Sequence, residues 1–449
     1  MKRLWKVLPP CFSDLMGFEA VMNETEGMGL IDDSSTYKPL RFGRDGHGRP
    51  GMDGRTERGG RPEIEGRHGH GHGGGRGGFG GIIPGMRVLN SDIRNEDIIS
   101  GTEKKVMLAF EKGEKRLSPN FVLLAYGPSA SMIGSDLEYA AEKITEGLSS
   151  AQREGASAQS GLPAAYVKID GEKDYLYGIS CTLEAMGRLL LLPSRTIPGS
   201  LNILGANTID WAKESFADLE SLLNQEGIQI LSRWGWKETT ENLKMASAAA
   251  LNLVANESGL RLARYMESEF GIPYLAGAPF GATSVESLRS RLKEAGLGTS
   301  AGRPDEDLIK KTESATAAGK PDEDLMKGNA MDTEPETLIV GEQFTANAIR
   351  RELFRRGEKK IRVLSFYDMD RAYMEPGDRK LTGEDDFAGQ ANAESVRMIF
   401  ADGDLQPLVK KKVRWVKIPN TGSMFPVESL DAFNMTGGAL DAWLNREGL

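Results

Sequence analysis

Apolar runs of strand length alternate with amphipathic helical stretches along the chain, and this alternation constrains its fold more than any other feature. A first set runs from Phe121 to Leu192, a second from Leu201 to Leu275, and a third begins at Thr337. Strands that alternate with helices at this spacing form βαβ units, and such units build parallel sheets. The sequence therefore predicts an α/β protein with three Rossmann-like domains and parallel sheets.

Two segments are poor in the residues that build a core. Segment 42–81 is rich in Gly, Arg and His and has too little apolar content to pack, so we expect a flexible loop. Segment 299–336 is an acidic low-complexity linker. In it Pro304-Asp-Glu-Asp-Leu-Ile-Lys310 recurs as Pro321-Asp-Glu-Asp-Leu-Met-Lys327, a short duplication rather than a solenoid repeat. The predicted segments are an N-terminal segment (1–41), the loop (42–81), a first α/β domain (82–198), a second (199–298), the linker (299–336) and a third α/β domain (337–449).

Bulk composition excludes several classes of function. A net charge of −9 over 449 residues argues against a general nucleic-acid binder. Two cysteines cannot form a disulfide framework, so we expect a reducing, cytoplasmic location. The apolar start of the chain is broken by Lys6 and by Pro9 and Pro10, which is unlike a signal peptide. No stretch approaches eighteen apolar residues, so we expect no membrane-spanning helix and no membrane partner.

Glycine-containing turns directly follow three predicted strands, at Gly127, Gly205 and Gly341. Ligands of open parallel sheets bind at this end of the strands, where helix N-termini attract anions. None of the turns has the Gly-x-Gly-x-x-Gly pattern or the Gly-Lys-Ser/Thr of a phosphate-binding loop. We therefore interpret them as simple strand-to-helix turns and predict no nucleotide site.

All four histidines lie in the Gly-rich loop, at His47, His68, His70 and His72. The last three alternate with glycine and could meet around one Ni²⁺ or Zn²⁺, because imidazole suits both metals and glycine lets the backbone fold around an ion. The alternative, which the composition favours, is a solvated insert with weak metal affinity. Since no other histidine exists, a Ser–His–Asp hydrolase is excluded.

The two cysteines lie in different settings. Cys181 begins a helical run, where a helix N-terminus lowers a thiol pKa, but a buried core residue is the commoner role. Cys11 follows a Pro-Pro turn outside any periodic core segment. From the residues alone, a metal-ligating thiol and an unremarkable one stay equally open for Cys11.

Four stretches resemble, in the same order, segments of the nitrogenase component 1 oxidoreductase family. That family includes the molybdenum–iron protein subunits, their cofactor-assembly scaffolds and the nitrogenase-like tetrapyrrole reductases. The stretches are Pro10-Cys-Phe-Ser-Asp-Leu-Met-Gly17, Asp97-Ile-Ile-Ser-Gly-Thr-Glu-Lys-Lys105, Met132-Ile-Gly-Ser-Asp136, and Leu251-Asn-Leu-Val254 followed by Tyr265-Met-Glu267 and Phe270-Gly-Ile-Pro273. The ordered set is more specific than any single match.

The resemblance implies three α/β domains and pairing with a homologous component 1-type subunit, identical or related. It also implies electron delivery by a separate ATP-dependent iron protein. In such proteins cysteines from two subunits hold an iron–sulfur cluster at their interface, because soft thiolates suit iron in an electron-rich cluster. Cys11 matches the first cluster-ligand position, so the resemblance implies that it binds such a cluster.

The chain departs from the family at the other ligand positions. The interval that should hold a second cluster cysteine contains the Gly/His-rich loop, and the third position reads Pro128-Ser129. The cofactor-anchoring cysteine has no counterpart. The C-terminal histidine is absent from the corresponding stretch Pro419-Asn-Thr-Gly-Ser-Met-Phe-Pro426. The usual nitrogenase active site is therefore not encoded in this chain.

Two functions follow as hypotheses. The first is a subunit of a nitrogenase-like oxidoreductase that accepts electrons from an ATP-dependent iron protein, with Cys11 on an interfacial iron–sulfur cluster. The alternative is a non-catalytic cofactor or metal scaffold of the same fold, in which the His-Gly loop binds or delivers Ni²⁺ or Zn²⁺. A degenerate structural partner of a catalytic homologue is a third hypothesis.

Overall fold

A computed structural model describes residues 7–8, 11–34, 86–147, 161–298, 334–418 and 433–449. The predicted Gly/His/Arg-rich loop with its four histidines, the duplicated motif of the acidic linker, and residues 419–426 lie outside the described residues. In the described part of the chain, every helix is too short or too polar to cross a bilayer.

The first sheet has four parallel strands in the order β2-β1-β3-β4. Its strands are Met28–Asp32 (β1), Val88–Asn90 (β2), Val122–Tyr126 (β3) and Ala164–Val167 (β4). The helices of this part are Asp14–Met22 (α1), Asn95–Ser100 (α2), Glu103–Leu117 (α3), Pro128–Ile133 (α4), Leu137–Thr145 (α5) and Tyr175–Leu190 (α6). The strand β1 comes from the predicted N-terminal segment and lies in the middle of the sheet.

Both faces of the first sheet are covered, which explains why its strands are continuous apolar runs. Leu30 and Leu124 face a core formed with α3 and α5, including Phe110. Ile31 and Leu123 face the opposite core, formed with α1 and α6. Alternate residues of one strand thus belong to two different cores, as the two-residue period of a strand requires.

The second and third sheets repeat this parallel arrangement, in the orders β6-β5-β7-β8 and β11-β10-β9-β12-β13. The strands are Ile197–Leu204 (β5), Gln229–Trp234 (β6), Ala249–Val254 (β7), Tyr274–Ala276 (β8), Thr337–Val340 (β9), Ile361–Ser365 (β10), Arg379–Lys380 (β11), Met398–Ala401 (β12) and Arg414–Lys417 (β13). The helices are Lys213–Gln225 (α7), Thr240–Met245 (α8), Leu260–Phe270 (α9), Ala282–Glu294 (α10), Gln343–Arg355 (α11), Glu384–Ala391 (α12) and Gly438–Arg446 (α13), with short 3₁₀ turns at Ala246–Ala248, Glu257–Gly259, Arg371–Tyr373 and Gly403–Leu408. The predicted α/β class with parallel sheets is confirmed.

Local signals set several helix ends. Asp174 precedes α6, and its carboxylate accepts a hydrogen bond from the backbone N–H of Tyr177 at 3.0 Å, which is an N-cap. Helix α9 ends at Gly271, whose φ of 68° favours glycine. The family-like segment Phe270–Pro273 is therefore a helix end followed by the short strand β8.

The N-terminal residues connect the first sheet to the third. The backbone N–H groups of Val7 and Leu8 donate to the carboxylate of Glu384, at 2.7 to 3.2 Å, where α12 begins. The Leu8 side chain is buried in the core of the third sheet. The chain then enters α1, which packs under the first sheet. We call the described residues before α1, 7–8 and 11–13, the N-terminal strap, and Cys11 is one of them.

Helices α1 and α6 cross with their backbones in contact, and glycine makes the crossing possible. A methyl group on Gly17 would lie 2.1 Å from the carbonyl oxygen of Tyr175, and one on Gly178 would lie 2.0 Å from the carbonyl oxygen of Asp14. Both distances are far below a van der Waals contact, so only glycine fits at either position. The crossing holds the start of α1, and with it Cys11, against the start of α6.

We predict that Gly178→Ala lowers the free energy of unfolding by about 1–3 kcal/mol, because the helices must move apart to admit the methyl group. Chemical denaturation of both proteins measures the difference. Gly389→Ala is the control: Gly389 lies exposed within α12 with nothing within 4 Å of the added methyl. There alanine should stabilise the helix by about 0.5–1 kcal/mol. Equal stabilities for the two variants would contradict the backbone contact.

Candidate functional site

Cys11 lies just before α1, partly buried, at a place where all three sheets converge. Its Sγ is 3.9 Å from the hydroxyl oxygen of Tyr367, within hydrogen-bond reach of a sulfur atom. Tyr367 follows β10 of the third sheet. A thiol from the N-terminal segment is therefore in contact with a side chain more than three hundred residues away.

Two further side chains complete this site. The Tyr175 hydroxyl, at the start of α6, donates to Asp210 Oδ1 at 2.5 Å, and Asp210 follows β5 of the second sheet. The rings of Tyr175 and Tyr367 meet edge to face, with centroids 5.5 Å apart. We call Cys11, Tyr175, Asp210 and Tyr367 the three-sheet junction. Each sheet places at least one side chain in it.

Asp210 is held by amide side chains from the loops after two neighbouring strands. Asn207 Nδ2 donates to Asp210 Oδ2 at 2.9 Å, and Asn256 Nδ2 donates to the same oxygen at 3.2 Å. Asn207 follows β5 and Asn256 follows β7, so both lie at the carboxyl end of the second sheet. This is the edge at which open parallel sheets bind ligands.

Carboxylates near the junction make it acidic. The Glu257 backbone N–H donates to Glu342 Oε1 at 3.3 Å, which brings the second and third sheets together. Burial, and then repulsion from Glu342 and Asp174, raise the pKa of Glu257 to about 8. Burial likewise raises the pKa of Glu342 and of Asp174. Glu257 therefore carries a proton at neutral pH, which limits the negative charge of the site.

The same surroundings hold the Cys11 thiol in its protonated form. Burial, and then the negative charge of Asp174, raise its pKa to about 12. The Tyr367 hydroxyl and the backbone amide of Tyr175 oppose this rise through hydrogen bonds. Because a metal binds the thiolate, an ion at Cys11 must displace this proton.

The described residues offer one cysteine to a metal centre and little else. No group of three His, Cys, Asp or Glu side chains among them is arranged to hold a metal ion. An iron–sulfur cubane needs several thiolates or equivalent ligands. The residues present therefore fit one ligand of a shared cluster, and they do not fit a cluster held by the described part of this chain alone.

The other candidate ligand positions make hydrogen bonds away from Cys11. Cys181 is buried further along α6, where its Sγ accepts a hydrogen bond from Arg261 Nη1 at 3.1 Å. Ser129, at the third family ligand position, donates its backbone N–H to Asp33 Oδ1 at 3.1 Å. Neither is a hydrogen-bond partner of Cys11 in the structure. His68, His70 and His72 lie outside the described residues.

A second feature is an exposed apolar surface on α2 and α4, at the carboxyl edge of the first sheet. Ile99 is 91% exposed and Met132 is 88% exposed, beside the partly exposed Ile98 and Ile133. We call these four residues the α2–α4 apolar surface. Large apolar side chains exposed at one edge of a sheet are candidates for an interaction site. They lie in two of the segments that resemble the family.

Hydrogen bonds link the residues that follow the two helices of this surface. Thr102, just after α2, donates its hydroxyl to Asp32 Oδ2 at 2.9 Å and is 2.9 Å from the hydroxyl of Ser135, just after α4. Asp32 ends β1, and burial raises its pKa. The segments that carry the apolar side chains are thus linked by hydrogen bonds to the carboxyl end of β1.

Sequence reasoning identified Cys11 but not the side chains around it. Asp210 and Glu342 lie in the turns after β5 and β9, which begin at Gly205 and Gly341 and which we interpreted as simple turns. Their position after parallel strands was the available signal, because such residues meet at one edge of a sheet. Nothing in the sequence pairs Tyr367 with Cys11.

Comparisons with known proteins agree with this architecture. A family model described as nitrogenase component 1 type oxidoreductase matches residues 77–326, more than half of the chain. The chain is 28% identical over 232 residues to the nitrogenase iron-molybdenum cofactor biosynthesis protein NifE of Nostoc sp. strain PCC 7120, covering 50% of this chain and 43% of that protein. It is 26% identical over 250 residues to NifE of Methanosarcina barkeri, covering 52% and 50%. The chain spans about half the length of these relatives.

Another relative and a solved structure extend the comparison. A light-independent protochlorophyllide reductase subunit of Chloroflexus aggregans is 24% identical over 225 residues, covering 47% of this chain and 38% of that protein. A structure of nitrogenase Cp1 at pH 6.5 superposes with a TM-score of 0.62 at 10% identity, covering 100% of this chain and 94% of that chain, and shows the shared fold. The extent of the family match confirms the resemblance: the chain belongs to the nitrogenase component 1 type oxidoreductase family.

Proposed function

We propose that this chain is one subunit of a nitrogenase-like oxidoreductase. In this proposal Cys11 supplies one ligand to an iron–sulfur cluster shared with a homologous component 1-type subunit, and an ATP-dependent iron protein delivers the electrons. The observation that carries the proposal is Cys11 itself, a thiol at the junction that contacts the Tyr367 hydroxyl and has no hydrogen bond to the other described thiol. The remaining ligands would come from the partner. A reducing cytoplasm suits both free thiols and such a cluster.

The residues around Cys11 have definite roles in this proposal. A bound iron–sulfur cluster supplies one-electron redox chemistry. Once the thiol proton is displaced, the Tyr367 hydroxyl becomes a donor to the Cys11 sulfur, and the backbone amide of Tyr175 also faces it. Hydrogen bonds to a ligating sulfur orient it and stabilise its negative charge. The rings of Tyr175 and Tyr367 meet edge to face beside Cys11, which fixes the position of the Tyr367 hydroxyl.

The α2–α4 apolar surface is the proposed docking surface for the iron protein. It lies at the carboxyl edge of the first sheet, and its α4 begins at Pro128. A methyl group on Gly171 would lie 2.9 Å from Pro128 and 3.4 Å from Leu15 of α1. Gly171 therefore lies beside both the start of α4, which carries part of the docking surface, and α1, the helix that follows Cys11.

A scaffold function is the second candidate, and one observation favours it. Two relatives are named as cofactor biosynthesis proteins. In this alternative the chain holds or delivers metal without redox turnover, with Ni²⁺ or Zn²⁺ bound by His68, His70 and His72.

We predict that Cys11→Ala removes most of the iron and sulfide from the complex, because the other described thiol, Cys181, is buried along α6 and accepts a hydrogen bond from Arg261. The measurement is iron and sulfide content after anaerobic co-purification with the native partner. Cys181→Ala is the matched control, since it removes the other cysteine of the chain and should leave the cluster content unchanged. Full cluster content in Cys11→Ala would refute the ligand assignment.

We predict that Ile99→Asp combined with Met132→Asp weakens binding of the iron protein at least about tenfold, because charges replace the two most exposed apolar side chains of the surface. Sedimentation with the iron protein recovered from the native complex measures the affinity. Leu192→Asp is the control, because Leu192 is also highly exposed, at 74%, but follows α6 outside this surface. Equal weakening by the control would argue against the α2–α4 surface.

The scaffold alternative predicts that deleting residues 43–81 abolishes binding of about one Ni²⁺ or Zn²⁺ per chain, because three of the four histidines alternate with glycine there. Equilibrium dialysis against each metal gives the stoichiometry. Replacing His68, His70 and His72 together by alanine should have the same effect, and His47→Ala should have little. Unaltered stoichiometry after the deletion would dismiss the loop as a metal site.

A further inference from the structure

Asp14, the first residue of α1, is buried where α1 crosses α6, and its exposed fraction is 0%. The loop 170–174, between β4 and α6, also contacts this end of α1. The Asp14 backbone N–H donates to the carbonyl oxygen of Lys173 at 2.9 Å, and Ser13 forms an isolated antiparallel bridge with Asp174. The start of α1 is therefore packed against both this loop and α6.

The Asp14 carboxylate has few hydrogen bonds for a buried group. Its Oδ1 has no hydrogen-bond partner among the described residues. Its Oδ2 accepts two long hydrogen bonds, from the backbone N–H groups of Asp170 and Lys173, both at 3.4 Å. Buried polar groups are hydrogen-bonded as a rule, and a buried ionised carboxylate without sufficient partners raises the free energy of the folded state.

The loop that contacts Asp14 is mostly acidic. Asp170 acts on Asp14 as a like charge. Glu172 and Lys173 are exposed, and the Asp174 carboxylate caps α6. The charged groups of the loop therefore do not compensate for the burial of Asp14.

The groups on the α6 side do not compensate for it either. Burial raises the pKa of the Cys181 thiol, and the charges of Glu184 and Asp14 add to that rise. Arg261 of α9 is the cation on this side, but it pairs with Glu184 at 3.0 Å and donates to Cys181 Sγ at 3.1 Å. A negative charge on Asp14 is therefore held by two long backbone hydrogen bonds and no ion pair among the described residues.

Burial raises the pKa of Asp14 from its usual 3.8 to about 6, and the charge of Asp170 adds to the rise, while backbone amides of the loop oppose it. The folded chain thus binds this proton more tightly than the unfolded chain does. Ionised Asp14 consequently destabilises the fold by an amount that grows as the pH rises from 3.8 to about 6 and is constant above that range.

We infer that Asp14 makes the attachment of α1 depend on pH. When the carboxyl group is protonated, α1 packs most stably against α6 and the loop 170–174. When it is ionised, a buried negative charge with few hydrogen bonds favours separation of the start of α1 from the loop. Cys11 lies three residues before Asp14, so the same separation would loosen the segment that holds the thiol.

Urea denaturation of the wild type and of Asp14→Asn between pH 4.5 and pH 7.5 tests the inference. Asparagine has nearly the same shape but does not titrate. The unfolding equilibrium constant of the wild type, divided by that of Asp14→Asn, should rise about tenfold or more over this range, as the difference between 3.8 and about 6 in the pKa implies. Both proteins keep Cys11, so this result does not depend on whether the chain binds a cluster.

Asp136→Asn is the matched control. Asp136 lies at the start of another helix, α5, where it is exposed and accepts a hydrogen bond from the backbone N–H of Tyr139 at 3.0 Å. Because this carboxylate is hydrated and hydrogen-bonded, the same ratio for Asp136→Asn should show no such rise. An equal rise for both variants, or a ratio for Asp14→Asn that is independent of pH, would overturn the inference.

Hydrogen exchange of the wild type gives a local test that holds even if Asp14→Asn does not fold. Protection factors correct for the intrinsic effect of pH on exchange, so those of α1 can be compared with those of α5. The protection of α1 relative to α5 should fall between pH 5 and pH 7.5, and in a folded Asp14→Asn it should stay constant. An unchanged ratio in the wild type would exclude a pH-dependent attachment of α1.

Discussion

The backbone crossing of α1 and α6 is the contact on which the candidate site depends. Gly17 and Gly178 let the two helices approach until each glycine lies against a carbonyl oxygen of the other helix. The crossing places the start of α1 beside the start of α6, so Cys11 and Tyr175 become neighbours. Tyr175 then reaches Asp210 of the second sheet and meets Tyr367 of the third. The lack of a side chain at Gly17 and Gly178 therefore determines where the four side chains of the three-sheet junction meet.

The chemistry of the junction combines one soft ligand with a protonated, acidic surround. Burial raises the pKa of the Cys11 thiol and of the Glu257 carboxyl, so both groups hold their protons at neutral pH. A metal centre bound to the Cys11 thiolate would displace the thiol proton and bring additional positive charge. The neighbouring carboxylates would stabilise that charge. The described residues supply too few ligands for an iron–sulfur cluster, so the proposed function requires a second subunit.

Regular elements were predictable from the sequence, and the site around Cys11 was not. The strands β7 and β9 coincide with the apolar runs 249–254 and 337–340, because a buried parallel strand is apolar on both faces. The strands β1 and β2 were not predicted, because they flank the long Gly-rich segment and do not alternate with a helical stretch between them. Cys11 was identified by its Pro-Pro context and its place in the family order. Its contact with Tyr367 depends on how three sheets pack, which no local pattern encodes.

The N-terminal strap gives the junction a mechanical property. Leu8 is buried in the third sheet and held through Glu384, while α1, which begins three residues after Cys11, is locked against α6. Cys11 therefore lies, in sequence, between a residue anchored in the third sheet and a helix anchored against the first. Any separation of the third sheet from the first would move Tyr367 away from the Cys11 sulfur. Exposure of the thiol and opening of the junction are, by this geometry, one and the same movement.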